Sequence, residues 1–301
     1  MRSCEGGRSV GNEQNSRVSK PNGCRKRKEC SVRMKYAKFA KSAIAVHLNT
    51  GNILFQKHPF KKLPPASMTK MMTLLLAMEM LQQGKIKTSD LVKVSKHAAS
   101  TEGSSLFLKP GEVMPLRNLL KGIVLVSGND ATVALAEHMA GTEANFVKLM
   151  NNKAKTLGLV NTHFVNVHGL DHKDHFSCAY DMFIIAKSLL RHQRILKLTS
   201  LKYATIPRNS QTRMMLKNTN TLLGKYRGVD GLKTGTTDKA KYCLTATAKK
   251  QGTRVVAVVM GEPTVRKRDK EMAGLLDLSL QRRFVDRQMT RRHSRGKSFF
   301  A

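Results

Sequence analysis

Acidic side chains are scarce in this sequence: 20 Asp and Glu stand against 54 Lys and Arg, a formal net charge of +34 over 301 residues. A surface so short of carboxylate attracts polyanions. Residues 1–36 carry +7 and residues 281–301 carry +6, which leaves +21 on the stretch between them. The excess is therefore not a matter of two tails, and an anionic polymer has to be weighed against a plain solvated basic surface. Long apolar runs are missing too. The best candidate, Met71 to Met80, is broken by Glu79 and reads as a buried helix, so no transmembrane segment is expected. The five cysteines, Cys4, Cys24, Cys30, Cys178 and Cys243, have no paired spacing and give no readable disulfide framework. Residues 1–36 hold the basic part of an export signal without the apolar segment that should follow, so no signal peptide is legible. The absence of an internal repeat sets solenoid folds aside.

What is present suffices for one large core, with 41% apolar residues. Residues 1–36, rich in Arg, Lys, Ser, Asn and Gly, bury too little to offset ordering entropy and are expected to be disordered. Ser42 to Leu48 and Asn52 to Gln56, around Asn49-Thr50-Gly51, read as a β-hairpin. From Met68 to about Arg191 the periodicity turns helical, with apolar stretches at Met71–Leu81, Leu116–Leu125, Ala131–Met139, Phe146–Leu157 and Met182–Leu190. Strand signals return after Gly224: Leu244, Ala246 and Ala248 alternate with polar residues, and Arg254 to Met260 is a Val-rich run after Gln251-Gly252. A last helix is expected over Arg268–Leu280. This pattern predicts an α+β fold, one antiparallel sheet built from both chain ends, flanked by helices with a helical subdomain between. It divides the chain into a basic segment 1–36, a catalytic domain 37–280 and a basic, flexible tail 281–301.

Chemistry concentrates at Pro64-Pro65-Ala66-Ser67-Met68-Thr69-Lys70, which runs straight into the apolar helix. Two prolines stiffen the entry and place Ser67 at the helix start. Three residues on, Lys70 shares its face and can reach the hydroxyl. A partly buried lysine with cations nearby can lose its proton near neutral pH and act as base to a serine. Taken alone, the tetrad reads more readily as a serine N-cap followed by a surface lysine. Two further motifs follow in order: Ser127-Gly128-Asn129 between helical runs and Lys233-Thr234-Gly235 beside the late strands. Ser-x-x-Lys, a Ser-x-Asn and Lys-Thr-Gly in that order are the signature of penicillin-interacting serine enzymes.

From Lys41 to Leu280 the chain resembles the low-molecular-weight penicillin-binding proteins that are D-alanyl-D-alanine carboxypeptidases. The resemblance runs through Leu63–Thr73, Gly103-Ser104-Ser105-Leu106, Leu108-Lys109-Pro110-Gly111, Ser127-Gly128-Asn129-Asp130-Ala131, Asn161-Thr162-His163-Phe164, His168-Gly169-Leu170 and Asp230–Thr237. It implies a β-lactamase/transpeptidase-like fold and removal of the terminal D-alanine from peptidoglycan stem peptides. Ser67 would be the nucleophile, Lys70 its proton acceptor and Ser127 a proton shuttle to the leaving D-alanine. Asn129 would position substrate, Lys233 and Thr234 would hold its carboxylate, and the backbone N–H groups of Ser67 and Thr236 would form an oxyanion hole. Gly235 would let an edge strand approach the substrate closely.

The resemblance also implies an extracytoplasmic site, no cofactor and no metal, with β-lactams as covalent inhibitors. Anionic wall polymers are a further partner that the charge suggests, with no specific nucleic acid. Endopeptidase action on cross-links uses the same residues, and a weakly active polyanion-binding protein on the same fold is the reading from a different class. Lys241 stands where the family usually has glycine. Between Gly141 and Ala179 the acidic residues are Glu143, Asp171 and Asp174, none in the setting of a deacylating β-lactamase glutamate, so a penicillin adduct should leave slowly. His168, His172 and His175 lie close in sequence, but in a loop-like stretch better read without a metal. Gly296-Lys297-Ser298 lacks the first glycine of a phosphate loop, and Cys243, in an alternating apolar strand, reads as core.

Overall fold

The computed structural model describes residues 36–208 and 211–295, with the backbone alone for 281–295. The N-terminal segment read as disordered, up to residue 35, and residues 296–301 lie outside the described residues. Five strands form one antiparallel sheet: β1 (Ser42–His47), β2 (Ile53–Lys57), β7 (Val229–Thr237), β8 (Lys241–Lys250) and β9 (Thr253–Glu262), in the order β2-β1-β9-β8-β7. The two ends of the chain thus meet at the β1–β9 pair, where Ile44 faces Val258 and Val46 faces Val256. Strand β9 is Val-rich throughout because both its faces are covered. Val256, Val258 and Met260 point into the larger core with Met68, Met71 and Ile185, while Val255, Ala257 and Val259 point to the other side, against Met272, Leu275 and Leu276. Alternation along a strand sends these sets to opposite faces.

The helices between the sheet's two halves are α1 (Lys70–Gln82), α2 (Lys96–Ala99), α3 (Leu116–Leu125), α4 (Asn129–Ala140), α5 (Glu143–Thr156), α6 (Ala179–Leu189) and α7 (Arg194–Thr199). Helix α1 is buried along most of its length, which is why Met71 to Met80 carries so few charges. The last helix, α8, runs from Val265 to Arg295, longer at both ends than the Arg268–Leu280 expected, and continues past the boundary drawn at 280. Two ribbons went unread in the sequence: β3 (Leu91–Lys93) with β4 (Val113–Pro115), and β5 (Tyr203–Pro207) with β6 (Arg213–Lys217). Strands of three residues are too short to show a period, and β5–β6 buries only alternate residues such as Ile206 and Leu216.

At the β7–β8 turn Lys241 has φ 57°. A side chain there costs about 1–2 kcal/mol through its Cβ, a cost glycine avoids at some entropic penalty. That is the physical reason for the glycine expected at this position. Lys241→Gly should therefore stabilise the fold by about 0.5–1 kcal/mol, read as a rise of about 2–4 °C in Tm by calorimetry. An unchanged or lowered Tm would mean that the turn has relaxed around the lysine.

Candidate active site

The Ser67 segment is a 3-10 turn, Ala66–Thr69, and the α-helix begins only at Lys70. Sequence placed Ser67 at the helix start. The tighter turn wins because Ala66 enters it at φ 48°, a left-handed backbone that a continuous helix would not admit. His175 pins the turn from below. The Val165 N–H donates to His175 Nδ1 (3.1 Å), so Nε2 carries the proton and donates to Thr69 Oγ1 at 2.8 Å. Burial pushes the His175 pKa down to about 4, which keeps this donor arrangement neutral.

Lys70 is fully buried. Its Nζ lies 2.9 Å from Ser67 Oγ, 2.6 Å from Asn129 Oδ1 and 2.8 Å from the His168 carbonyl oxygen. The Asn129 amide is oriented by its own Nδ2, which donates to the Glu102 carbonyl at 2.6 Å, so the atom facing Lys70 is the oxygen. Burial, then the nearby Lys233 cation, hold the Lys70 pKa well below the ordinary lysine value, and the Asp130 carboxylate opposes them. A neutral amine has two N–H bonds and one lone pair. Two of its neighbours here can only accept, so in the neutral form they take the two N–H bonds and leave the lone pair for the Ser67 hydroxyl.

Ser127 and Asn129 sit at the start of α4. Ser127 has φ 64°, is buried, and its Oγ has no hydrogen-bond partner among the described residues. An unused hydroxyl in such a place is open to a proton in transit. The loop before it is gathered by one carboxylate: Asp130 accepts from Ser105 Oγ (2.6 Å), Leu106 N (2.9 Å), Leu108 N (3.1 Å) and Ala131 N (2.7 Å).

Across from α4 lies β7, an edge strand paired only with β8 among the described residues. A Cβ on Gly235 would lie 2.8 Å from the Pro65 carbonyl oxygen and 3.1 Å from Met68 N, so only glycine lets this strand rest on the serine turn. That contact brings the backbone around Thr236 to the turn of Ser67. Lys233 is buried, with Nζ 3.1 Å from the Thr234 carbonyl, and burial together with Arg268 lowers its pKa to about 7. Thr234 Oγ1 is 2.6 Å from Thr219 Oγ1, a hydroxyl that sequence did not single out.

The three loop histidines face different partners: His175 meets Thr69, His168 lies 3.7 Å from Glu143, and His172 lies 3.9 Å from Asp174. Among the described residues no group of three or more His, Cys, Asp or Glu is placed to hold a metal ion. Glu143 is spent on His97 Nε2 (2.8 Å) and the Val167 N–H (3.1 Å), and Asp171 on Thr237 Oγ1 (2.7 Å) and the Lys239 N–H (3.2 Å). Neither carboxylate is free to drive a water at Ser67.

The model of one protein family, D-alanyl-D-alanine carboxypeptidase, matches residues 29–264. D-alanyl-D-alanine carboxypeptidase DacF of Bacillus subtilis is 51% identical over 240 residues, covering 80% of this chain and 62% of that one. Penicillin binding protein 5 from Haemophilus influenzae superposes with a TM-score of 0.75 at 38% identity, over 79% of this chain and 70% of that one. Penicillin-Binding Protein D2 from Listeria monocytogenes, solved in an ampicillin-bound form, gives 0.72 at 32% identity, over 79% and 96%. The chain spans about three-fifths of the length of the curated relatives it matches first.

The repulsion between Lys233 and Lys70 can be tested through pH. Loss of the cation in Lys233→Met should let Lys70 hold its proton more tightly, so the acid limb of the residual penicillin-labelling rate should move to higher pH. Lys233→Arg should keep the limb in place. Identical limbs in parent and Lys233→Met would show that burial alone sets the Lys70 pKa.

Proposed function

The chain belongs to the D-alanyl-D-alanine carboxypeptidase family, and from that premise we propose that it removes the terminal D-alanine from peptidoglycan pentapeptide stems through an acyl-enzyme on Ser67. The observation that carries this reading is the buried Lys70 amine, 2.9 Å from Ser67 Oγ, with two acceptor oxygens on its remaining valences. Lys70 takes the Ser67 proton as Oγ attacks the carbonyl of the penultimate D-alanine. The oxyanion forms against the N–H groups of Ser67 and Thr236. The proton held on Lys70 passes through the Ser127 hydroxyl to the amine of the leaving D-alanine, so the C–N bond breaks without expelling an amide anion. Water then repeats the sequence on the ester and regenerates Ser67. Lys233 and the Thr234 hydroxyl hold the terminal carboxylate, with Thr219 beside them, and Asn129 positions the peptide. The edge of β7 offers backbone groups to an extended stem.

The same serine would open a β-lactam ring and retain it, since the ring nitrogen stays tethered beside the ester where D-alanine would depart and admit water, and Glu143 and Asp171 are engaged elsewhere. Residues 37–280 form the catalytic unit in this reading, acting on the extracytoplasmic side where the wall is built. Their +21 charge suits attachment to anionic wall polymers.

Incubation with a fluorescent penicillin should give a covalent adduct, seen by denaturing gel and intact mass, that is absent from Ser67→Ala. The adduct should persist for many minutes, and the parent alone should release D-alanine from a pentapeptide. No adduct on folded parent protein, or fast turnover of the penicillin, would overturn the reading.

A further inference from the structure

The aim of the Lys70 lone pair depends on where two acceptor oxygens sit. One, Asn129 Oδ1, belongs to a residue on a helix. The other, the His168 carbonyl, belongs to a loop, and loops do not hold a peptide plane by themselves. Within Asn166–Asp171 that plane is held by a single side chain. Asn166 Oδ1 accepts from the Gly169 N–H at 2.6 Å and from the His168 N–H at 3.3 Å, and Asn166 Nδ2 donates to the Leu170 carbonyl at 3.0 Å. The Gly169 N–H and the His168 carbonyl are the two ends of one planar peptide unit, so fixing one fixes the other. Gly169 has φ 97°, and a Cβ there would lie 1.9 Å from the Ala66 carbonyl oxygen, so this peptide also abuts the turn that carries Ser67.

Outer contacts steady the loop but do not reach that peptide. Thr73 Oγ1 donates to the Val167 carbonyl at 2.8 Å, Glu143 takes the Val167 N–H, and Asp171 ties the far end to Thr237. The charged and titratable groups bearing on Lys70 are Lys233 on β7, Asp130 on α4 and the loop's own His168, whose pKa burial lowers to about 3 and which is therefore neutral. Asn166 faces this set as an uncharged amide.

We propose that Asn166 is the positioning residue that aims the Lys70 lone pair at Ser67, by clamping the His168–Gly169 peptide whose carbonyl accepts from the amine. The proposal rests on Lys70 acting as base to Ser67. Asn166 touches neither substrate nor the reacting atoms. Misplacing an acceptor of the base by a fraction of an ångström is costly: Asn166→Ala should slow penicillin acylation by roughly 10²-fold. Asn166→Asp keeps the acceptor oxygen, so it should retain more of the rate. Its new carboxylate favours the charged form of Lys70, so the acid limb of its pH–rate profile should lie at higher pH than the parent's.

The experiment is the second-order rate of labelling by a fluorescent penicillin from pH 5 to 10 for parent, Asn166→Ala and Asn166→Asp, each checked by thermal melting. A slowed Asn166→Ala that melts near the parent, with a shifted limb in Asn166→Asp, is the expected result. Equal rates in all three overturn the proposal. So does a loss that merely follows the folded fraction, with the limb of Asn166→Asp unmoved. A parent that labels normally beside unaffected variants removes the role of Asn166 alone. A folded parent that never labels removes the acyl-enzyme reading, and this proposal with it.

Discussion

A lysine amine enclosed by protein loses its hydration, and the ammonium form loses more than the neutral one. Lys70 is enclosed completely, and most of the site can be understood as what that burial requires. A neutral amine still has two N–H bonds to satisfy, hence the Asn129 amide oxygen and the His168 carbonyl. Each acceptor then needs its own anchor, which Glu102 supplies to Asn129 and Asn166 to the loop. The serine turn is fixed by different bonds, from His175 to Thr69 and from β7 through Gly235. Base and nucleophile are therefore held by different bonds that meet at one place, since the Gly169 peptide that holds the base also abuts Ala66, and the fold brings the two to 2.9 Å.

The sheet supplies that rigidity. Because β9 is covered on both faces, β8 and β7 extend from a core-embedded strand, and β7 reaches the site as an edge whose inner side is paired with β8 from Gly231 to Thr237. An edge strand is ordinarily a hazard for aggregation. Here its outer side runs past the Ser67 turn, where an extended peptide can pair with it. Gly235 is the compromise: a side chain would stabilise the strand but would strike Pro65 and Met68.

The residues that the proposed chemistry uses were legible by type. Ser67, Lys70, Ser127, Asn129, Lys233 and Thr234 stand in three short motifs that the fold brings to one region, and the two-ended sheet was legible from alternation in Ser42–Leu48 and Arg254–Met260. What stayed hidden is backbone. The His168 carbonyl accepts from Lys70 and the Glu102 carbonyl orients Asn129, yet any residue has a carbonyl. Asn166 was invisible for a related reason, since its partners are peptide groups of the next four residues, and an Asn in a loop ordinarily reads as turn chemistry. The 3-10 turn at Ala66–Thr69 was read as helix because period-three spacing serves both. Lys241 was legible as a departure, and its φ of 57° says what the departure costs.

The shortage of acid that marks the composition has a local counterpart. Lys70, Lys233 and Arg268 are all nearly fully buried, and each lowers the proton affinity of the next: Arg268 acts on Lys233 and Lys233 on Lys70. Such a run of buried basic groups opposes folding and has to be carried by the apolar core around it. It also makes the site receptive to a carboxylate. A substrate carboxylate on Lys233 would cancel the repulsion that reaches Lys70. The amine would then become more basic when a peptide carbonyl stands over Ser67 and a proton has to be taken. On this argument the cations proposed to hold the substrate also tune the base, against the Asp130 carboxylate, which raises the proton affinity of Lys70 with or without a substrate.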